Sequence, residues 1–185
     1  MVVVRDLKSN TVITSPEKAR SFLERFGVGY EFWSIKDNIT ESTSPSEILS
    51  TYSTEIEDLK KRGGYVTADV IDINSATPGL DEMLEKFNKE HFHSEDEVRF
   101  TVLGHGIFHL HSAESGVISV EVSAGDMLRV PRGMRHWFDL CEDRKIKAVR
   151  LFQDRSGWTP YYVENGVHVN FMPVCFGPAF IRPLK

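Results

Sequence analysis

The segment His91-Phe-His93-Ser-Glu-Asp-Glu97, answered well downstream by Pro131-Arg-Gly133-Met-Arg-His136, constrains this chain more than any other feature. In a strand, side chains two apart share a face, so His91 and His93 can converge on one point. Glu97 adds an anionic oxygen, and His136 completes the set only if a second strand lies beside the first. Three imidazoles and one carboxylate suit a borderline divalent ion such as Fe(II), Ni(II), Zn(II) or Mn(II). If the ion is six-coordinate, two positions stay open to substrate, which points to catalysis. A structural zinc site is the weaker alternative, because four protein ligands would close a tetrahedron.

The texture around these motifs is β. From residue 97 onward, short alternating or apolar runs are expected as strands at 97–103, 107–111, 117–122, 126–130, 136–140 and 146–152. Gly104-His-Gly106, Ala124-Gly125 and Pro131-Arg-Gly133 punctuate them. Many short strands with glycine turns argue a β-sandwich or small barrel. The first part of the chain is mixed. Ser15-Pro16 opens a helix carrying Ala19, Phe22, Leu23 and Phe26, and Gly27 stops it. Ser44 and Glu47 form a capping box for one helix through Ile48, Leu49, Tyr52, Ile56 and Leu59, ended by Gly63-Gly64. A third helix is expected over 78–89, with Leu80, Met83, Leu84 and Phe87 on one face. Two further strands are expected at 31–35 and 65–73.

Length and charge exclude several function classes. The 185 residues suit one domain with a real core, and a net charge of −5 leaves no basic footprint for nucleic acid. No apolar run approaches a membrane span, and Met1-Val-Val-Val-Arg5 is too short for a signal-peptide core. Cys141 and Cys175 lack metal-site spacing and are expected to be reduced thiols in a cytosolic protein.

The two histidine segments fit a longer template. The first reads HxH, three residues, Glu97, six residues, Gly104; the second reads Gly125, five residues, Pro131, one residue, Gly133, two residues, His136. This resembles the paired motifs of the cupin superfamily, a double-stranded β-helix or jelly roll. Two positions depart from it: Glu85 stands where a glycine is expected and Leu140 where an asparagine is expected. Neither is a ligand. The run from His91 through Glu97-Val-Arg-Phe100, together with Trp137-Phe138-Asp139, Val149-Arg150-Leu-Phe152 and Gly157-Trp158-Thr-Pro160, is similar to the acireductone dioxygenase family over roughly residues 80–163.

The resemblance implies a mainly β (α+β) cupin barrel with peripheral N-terminal helices. It would form a single domain over 1–185: an N-terminal elaboration of about 1–90, a core of about 91–163 and a C-terminal extension of 164–185. It also implies a monomeric cytoplasmic enzyme of methionine salvage that uses O2 to cleave an acireductone. One Fe(II) or Ni(II) per chain would be held by His91, His93, Glu97 and His136. Fe(II) would give formate and a 2-keto acid, and Ni(II) a cleavage that releases carbon monoxide. Arg99 would generate or stabilise the substrate dianion, with Arg150, Trp158, Phe92 and Phe138 around the substrate. Asp96 would transmit local conformational change, and Glu90 would assist metal incorporation. Another cupin dioxygenase or isomerase, or a metal-binding cupin without catalysis, are the rival readings. His109 and His111 form a competing HxH pair without a matched downstream segment, while His105 and His168 read as turn or surface residues.

Overall fold

The computed structural model describes residues 1–154, 158–171 and 175, so Gly157 of the Gly-Trp-Thr-Pro segment lies outside the described residues. In chain order the elements are β1 (Val3–Asp6), β2 (Thr11–Ile13), α1 (Pro16–Glu24), β3 (Gly29–Phe32), α2 (Pro45–Thr51), α3 (Ser53–Gly63), β4 (Thr67–Ile73) and α4 (Leu80–Phe87). They continue as β5 (His91–Phe92), β6 (Glu97–Ser112), β7 (Gly116–Ser123), β8 (Asp126–Val130), β9 (Arg135–Leu140), β10 (Ile146–Phe152), β11 (Tyr161–Tyr162) and a 3-10 turn, Val167–Asn170.

Strand β6 organises the molecule. Two separate strands are expected in this region, yet one strand of 16 residues runs through both. Its first half pairs with β8 and β10, and its second half pairs with β7 and β9. The switch falls at Gly104, whose φ of 77° suits glycine and where a Cβ would sit 2.1 Å from the Lys145 carbonyl oxygen. A register shift in β10 between Lys147 and Ala148 lies beside it. One sheet therefore continues β11-β5-β9-β6-β7-β1-β2, and the other sets β4-β10 and β3-β8 against the opposite edges of β6. The result is the mainly β, cupin-type barrel that the motifs imply.

Side-chain alternation along β6 and β10 divides the apolar residues into two cores. Ile146, Ala148, Leu128, Val130, Phe108, Leu110 and Phe138 belong to one cluster, against which α1 and α4 place Leu23, Phe22, Leu80 and Leu84. Val98, Phe100, Val102, Val149 and Leu151 belong to the other, covered by Ile48, Ile56 and Leu59 of α2 and α3. Each large aliphatic side chain buried this way is worth roughly 1.5–3 kcal/mol relative to exposure.

Two more expectations need correction, and β1 is a strand that the sequence does not announce. The single helix after the Ser44–Glu47 capping box breaks at Tyr52 (φ −102°, ψ 18°). There the buried ring packs edge-on against Phe100 at 4.8 Å while its hydroxyl accepts from the Lys36 backbone N–H at 3.1 Å. The N-terminal valines form β1, paired with β7 and fully buried at Val3 and Val4. Cys141 and Cys175 are not free thiols: they are joined in a disulfide, with Cα atoms 5.5 Å apart. They are 34 residues apart in sequence, so only the return of the C-terminal segment past the end of β9 brings them together.

Candidate metal centre

The short strand β5 sits between β9 and β11, and its pairing places His91 directly opposite His136. Glu97 opens β6, and His93 lies just past β5, where its carbonyl accepts from the Gly133 N–H at 2.8 Å. The Pro131–Gly133 turn is thus stitched to the first histidine segment by the main chain. Ring centroids of the three imidazoles lie 4.5, 4.9 and 5.2 Å apart. One donor atom from each of His91, His93, Glu97 and His136 falls within 4.8 Å of all the others, and all four residues are buried.

Each imidazole is oriented by a backbone carbonyl. Nδ1 of His91 lies 2.6 Å from Lys89 O, Nδ1 of His93 lies 2.9 Å from Thr159 O, and Nδ1 of His136 lies 2.8 Å from Met134 O. A carbonyl only accepts, so each Nδ1 carries a proton, and in the neutral ring each Nε2 presents a lone pair. Nε2 of His136 and of His93 then face Glu97 Oε2 at 2.9 and 3.3 Å. Lone pairs facing a carboxylate in a buried space call for a cation, and this donor set fits a divalent metal.

The electrostatics agree. Burial pushes the Glu97 carboxyl up, but Arg99, His136 and His93 outweigh it and hold it well below the usual carboxylate range. Burial, reinforced by repulsion from His136, lowers His91 to about 4, which leaves it neutral. For His93, burial is outweighed by its hydrogen bond and attraction to Glu97, which hold the imidazole above its ordinary value.

A cavity of about 400 Å³ opens beside these ligands, walled by His93, Glu97, Arg99, Arg150, Trp158 and Phe152, with Thr67, Asp69, Phe87 and Pro160 completing it. Arg99 is buried and donates from Nη2 to Glu97 Oε1 at 2.8 Å. Its guanidinium lies 4.6 Å from the Phe138 ring centre and 5.1 Å from that of Phe108, while its Nε–H has no hydrogen-bond partner among the described residues. Trp158 stacks on His93 at 5.9 Å and donates from Nε1 to the Asp96 carbonyl at 3.2 Å.

Other sequence candidates stand elsewhere. Phe92 stacks on Tyr161 at 5.4 Å, and Phe138 backs Arg99; neither lines the cavity. Asp96, next to Glu97 in an extended run, points the opposite way, accepting from Arg129 Nη1 at 3.1 Å and the Arg132 N–H at 3.0 Å. Glu90 is buried, 2.6 Å from His111 Nδ1 and accepting from the Val167 N–H. The rival pair is split by its surroundings. His111 joins Glu90, whereas His109 lies flat on Trp137 at 4.8 Å, where burial lowers it to about 4. His105 lies within β6, 3.5 Å from Asp143. Sequence reasoning missed Thr159, whose contribution is a main-chain carbonyl and leaves no residue signature, and Asp69, which reads as an ordinary strand acid.

Comparison with known proteins gives a consistent result. The model of the ARD/ARD′ family matches residues 5–160. Acireductone dioxygenase of Bacillus subtilis is 42% identical over 170 residues, covering 87% of this chain and 95% of that protein. The Sulfurihydrogenibium acireductone dioxygenase is 39% identical, covering 85% and 92%. A solved structure of acireductone dioxygenase from Bacillus anthracis with a cadmium ion in its active center superimposes with a TM-score of 0.82 at 40% identity, covering 88% of this chain and 98% of that one.

Proposed function

Since the chain belongs to the ARD/ARD′ family and is a dioxygenase acting on an acireductone, we propose that it holds one Fe(II) or Ni(II) per chain through His91, His93, Glu97 and His136. The observation that carries this reading is the convergence of three carbonyl-oriented imidazoles and one ionised carboxylate on one buried point. When bound, the ion supplies Lewis acidity that favours the deprotonated substrate and brings it together with O2. The substrate is 1,2-dihydroxy-3-keto-5-methylthiopentene, and the role is methionine salvage in the cytosol. Cytosolic proteins rarely keep disulfides, so the thiol titre of this protein, alkylated at lysis and then isolated, checks that location against the Cys141–Cys175 bond.

The chain's own residues bind and orient the substrate. Arg99 places a fixed positive charge beside the anion that forms on losing the enediol protons, and its Nε–H, unpartnered among the described residues, is a donor that an anionic oxygen would satisfy. Arg150 supplies a second guanidinium in the same wall. Trp158, Phe152, Phe87 and Pro160 give the apolar surface for a thioether tail and exclude water from it. Phe138 acts through Arg99, whose guanidinium it faces, and Phe92 through the stack that holds β5 against β11. Asp96 links the ligand loop to Arg129 and Trp158, which suits a residue that transmits local movement. Glu90, the residue before His91, ties His111 and Val167 to the start of the ligand segment, a position suited to metal entry. Because Thr67, Asp69 and Phe87 complete the cavity, the elaboration over 1–90 and the core over 91–163 work as one domain, proposed to be a monomer.

The donor set lacks thiolates, so affinity follows the general divalent order and metal supply decides occupancy. One batch of apo-protein, reconstituted separately with Fe(II) and Ni(II), tests the reading. The iron sample is expected to give formate and 4-methylthio-2-oxobutanoate, and the nickel sample 3-methylthiopropanoate, formate and headspace carbon monoxide. Identical products from two fully loaded, active samples would remove metal-dependent cleavage.

A further inference from the structure

Arg150 has a like charge for a neighbour. Strands β4, β10 and β6 lie side by side, and their register pairs Arg150 with Asp69 on one flank and with Arg99 on the other. Two arginines directly opposite each other on adjacent strands repel. Yet both stay in the cavity wall, because each has its own carboxylate. Arg99 donates to Glu97 Oε1 at 2.8 Å. Arg150 makes a two-point contact with Asp69, from Nε to Oδ1 at 2.8 Å and from Nη2 to Oδ2 at 2.6 Å. Its guanidinium is further flanked by the rings of Phe152 and Trp158, at 5.1 and 5.6 Å.

Such a fork fixes both the place and the plane of a guanidinium, since two parallel hydrogen bonds leave it no free rotation. It also engages one edge of Arg150 only. The two carboxylates and two guanidiniums cancel in charge, so the wall presents paired donors without an excess positive field of its own. An anion arriving in the cavity then meets two oriented donors whose separation is set by strand spacing rather than by side-chain search.

We propose that Asp69 is a positioning residue for substrate: it holds Arg150 in the cavity wall against repulsion from Arg99, so that a second guanidinium is ready for the deprotonated acireductone. This rests on the substrate-facing role of Arg150 given above. The bland alternative is an ion pair that merely ties β4 to β10, for the Asp69 side chain is 47% exposed and the Arg150 side chain 22%. A pair this exposed contributes little to stability, so its removal leaves the fold intact while its effect on anion binding stays visible.

The test uses metal-loaded protein as wild type, Asp69→Asn, Asp69→Ala, Asp69→Glu, Arg150→Ala and the Asp69→Ala/Arg150→Ala double variant. Readouts are steady-state kinetics with acireductone, bound metal, melting temperature, and calorimetric affinity for oxalate, a planar dianion that is not a substrate. Asp69→Asn and Asp69→Ala should both raise KM and weaken oxalate binding about tenfold, with a much smaller change in kcat and unchanged metal content. Asp69→Glu should restore part of the loss. The double variant should be no worse than Arg150→Ala alone, because Asp69 acts through Arg150. Additive losses would overturn the proposal, as would unchanged KM and oxalate affinity in the Asp69 variants while Arg150→Ala impairs both. If Arg150→Ala itself changes neither, the substrate-facing role of Arg150 falls, and the proposal with it.

Discussion

Replacing Arg99 with Leu separates binding of the metal from handling of the substrate anion. Leucine ends at Cδ, short of the guanidinium that lies 5.1 and 4.6 Å from the ring centres of Phe108 and Phe138, so it keeps the apolar stem and leaves a hole where the charged head was. What is lost is a buried positive charge 2.8 Å from Glu97 and in the wall of the substrate cavity. Loss of one preorganised donor at a developing anion costs about 100- to 1000-fold in kcat. The metal should be retained near pH 7, since four ligands and their carbonyl partners are untouched. Arg99 is the strongest of the groups that hold the Glu97 carboxyl down, so its removal raises the pKa of that carboxyl. Binding needs the ionised form, and the variant should therefore shed metal at a higher pH than wild type as the solution is acidified. The assay pairs turnover with metal content by atomic emission across pH 4–8. Parallel loss of turnover and metal at pH 7 would reduce Arg99 to a structural role. Near-normal turnover in a fully loaded variant would remove it from the chemistry altogether.

Two further outcomes are expected. His91→Ala, His93→Ala and His136→Ala should each strip or greatly weaken metal binding and abolish activity, whereas His109→Ala should keep near-normal metal content. An empty site in His109→Ala beside a full one in His91→Ala would place the metal on the His109–His111 pair instead. Asp139 is pushed up to about 6 by burial, above the usual carboxylate value of 3.8. The folded state therefore holds this proton more tightly than the unfolded chain, and stability contributed by Asp139 is present at low pH and lost as pH rises from about 4 to 6. Asp139→Asn should raise stability at pH 7 by about 1–2 kcal/mol and flatten that part of the pH profile, measured by urea unfolding. A steeper profile, or a less stable variant at pH 7, would show that the ionised carboxylate is favourably paired.

The convergence of His91, His93, Glu97 and His136 was legible because the HxH and glycine-proline-glycine spacings are local signals, while the register that sets His91 opposite His136 is a contact between distant strands. The helix face of Leu80, Met83, Leu84 and Phe87 was legible because its spacing is local too. What escaped depends on contacts between distant segments. The break at Tyr52 comes from burial of its ring on Phe100, which helical periodicity cannot register. The valines of β1 form too short a run to announce a strand, and need β7 to become one. The union of β6 across both sheets hides behind Gly104, which reads as a turn until its close approach to Lys145 is seen. The Cys141–Cys175 disulfide and the Asp69–Arg150 fork likewise exist only once tertiary neighbours are known.

The carbonyl groups of Lys89, Met134 and Thr159 that orient the three imidazoles belong to the peptide unit, which every residue type shares. Exchange of the side chains at 89, 134 or 159 therefore leaves tautomer selection intact so long as the chain keeps its path. Sequence drift at these three positions is buffered, and mutagenic scanning would pass over them as neutral. Access to this layer of control requires editing the backbone itself. Replacing one of these peptide bonds with an ester weakens the acceptor without moving an atom of the ligand. Ester substitutions at the Lys89 and Met134 carbonyls, taken one at a time, would grade the basicity of the His91 and His136 donor nitrogens while all four ligands stay in place; Thr159 precedes Pro160, where an ester would also remove the proline ring.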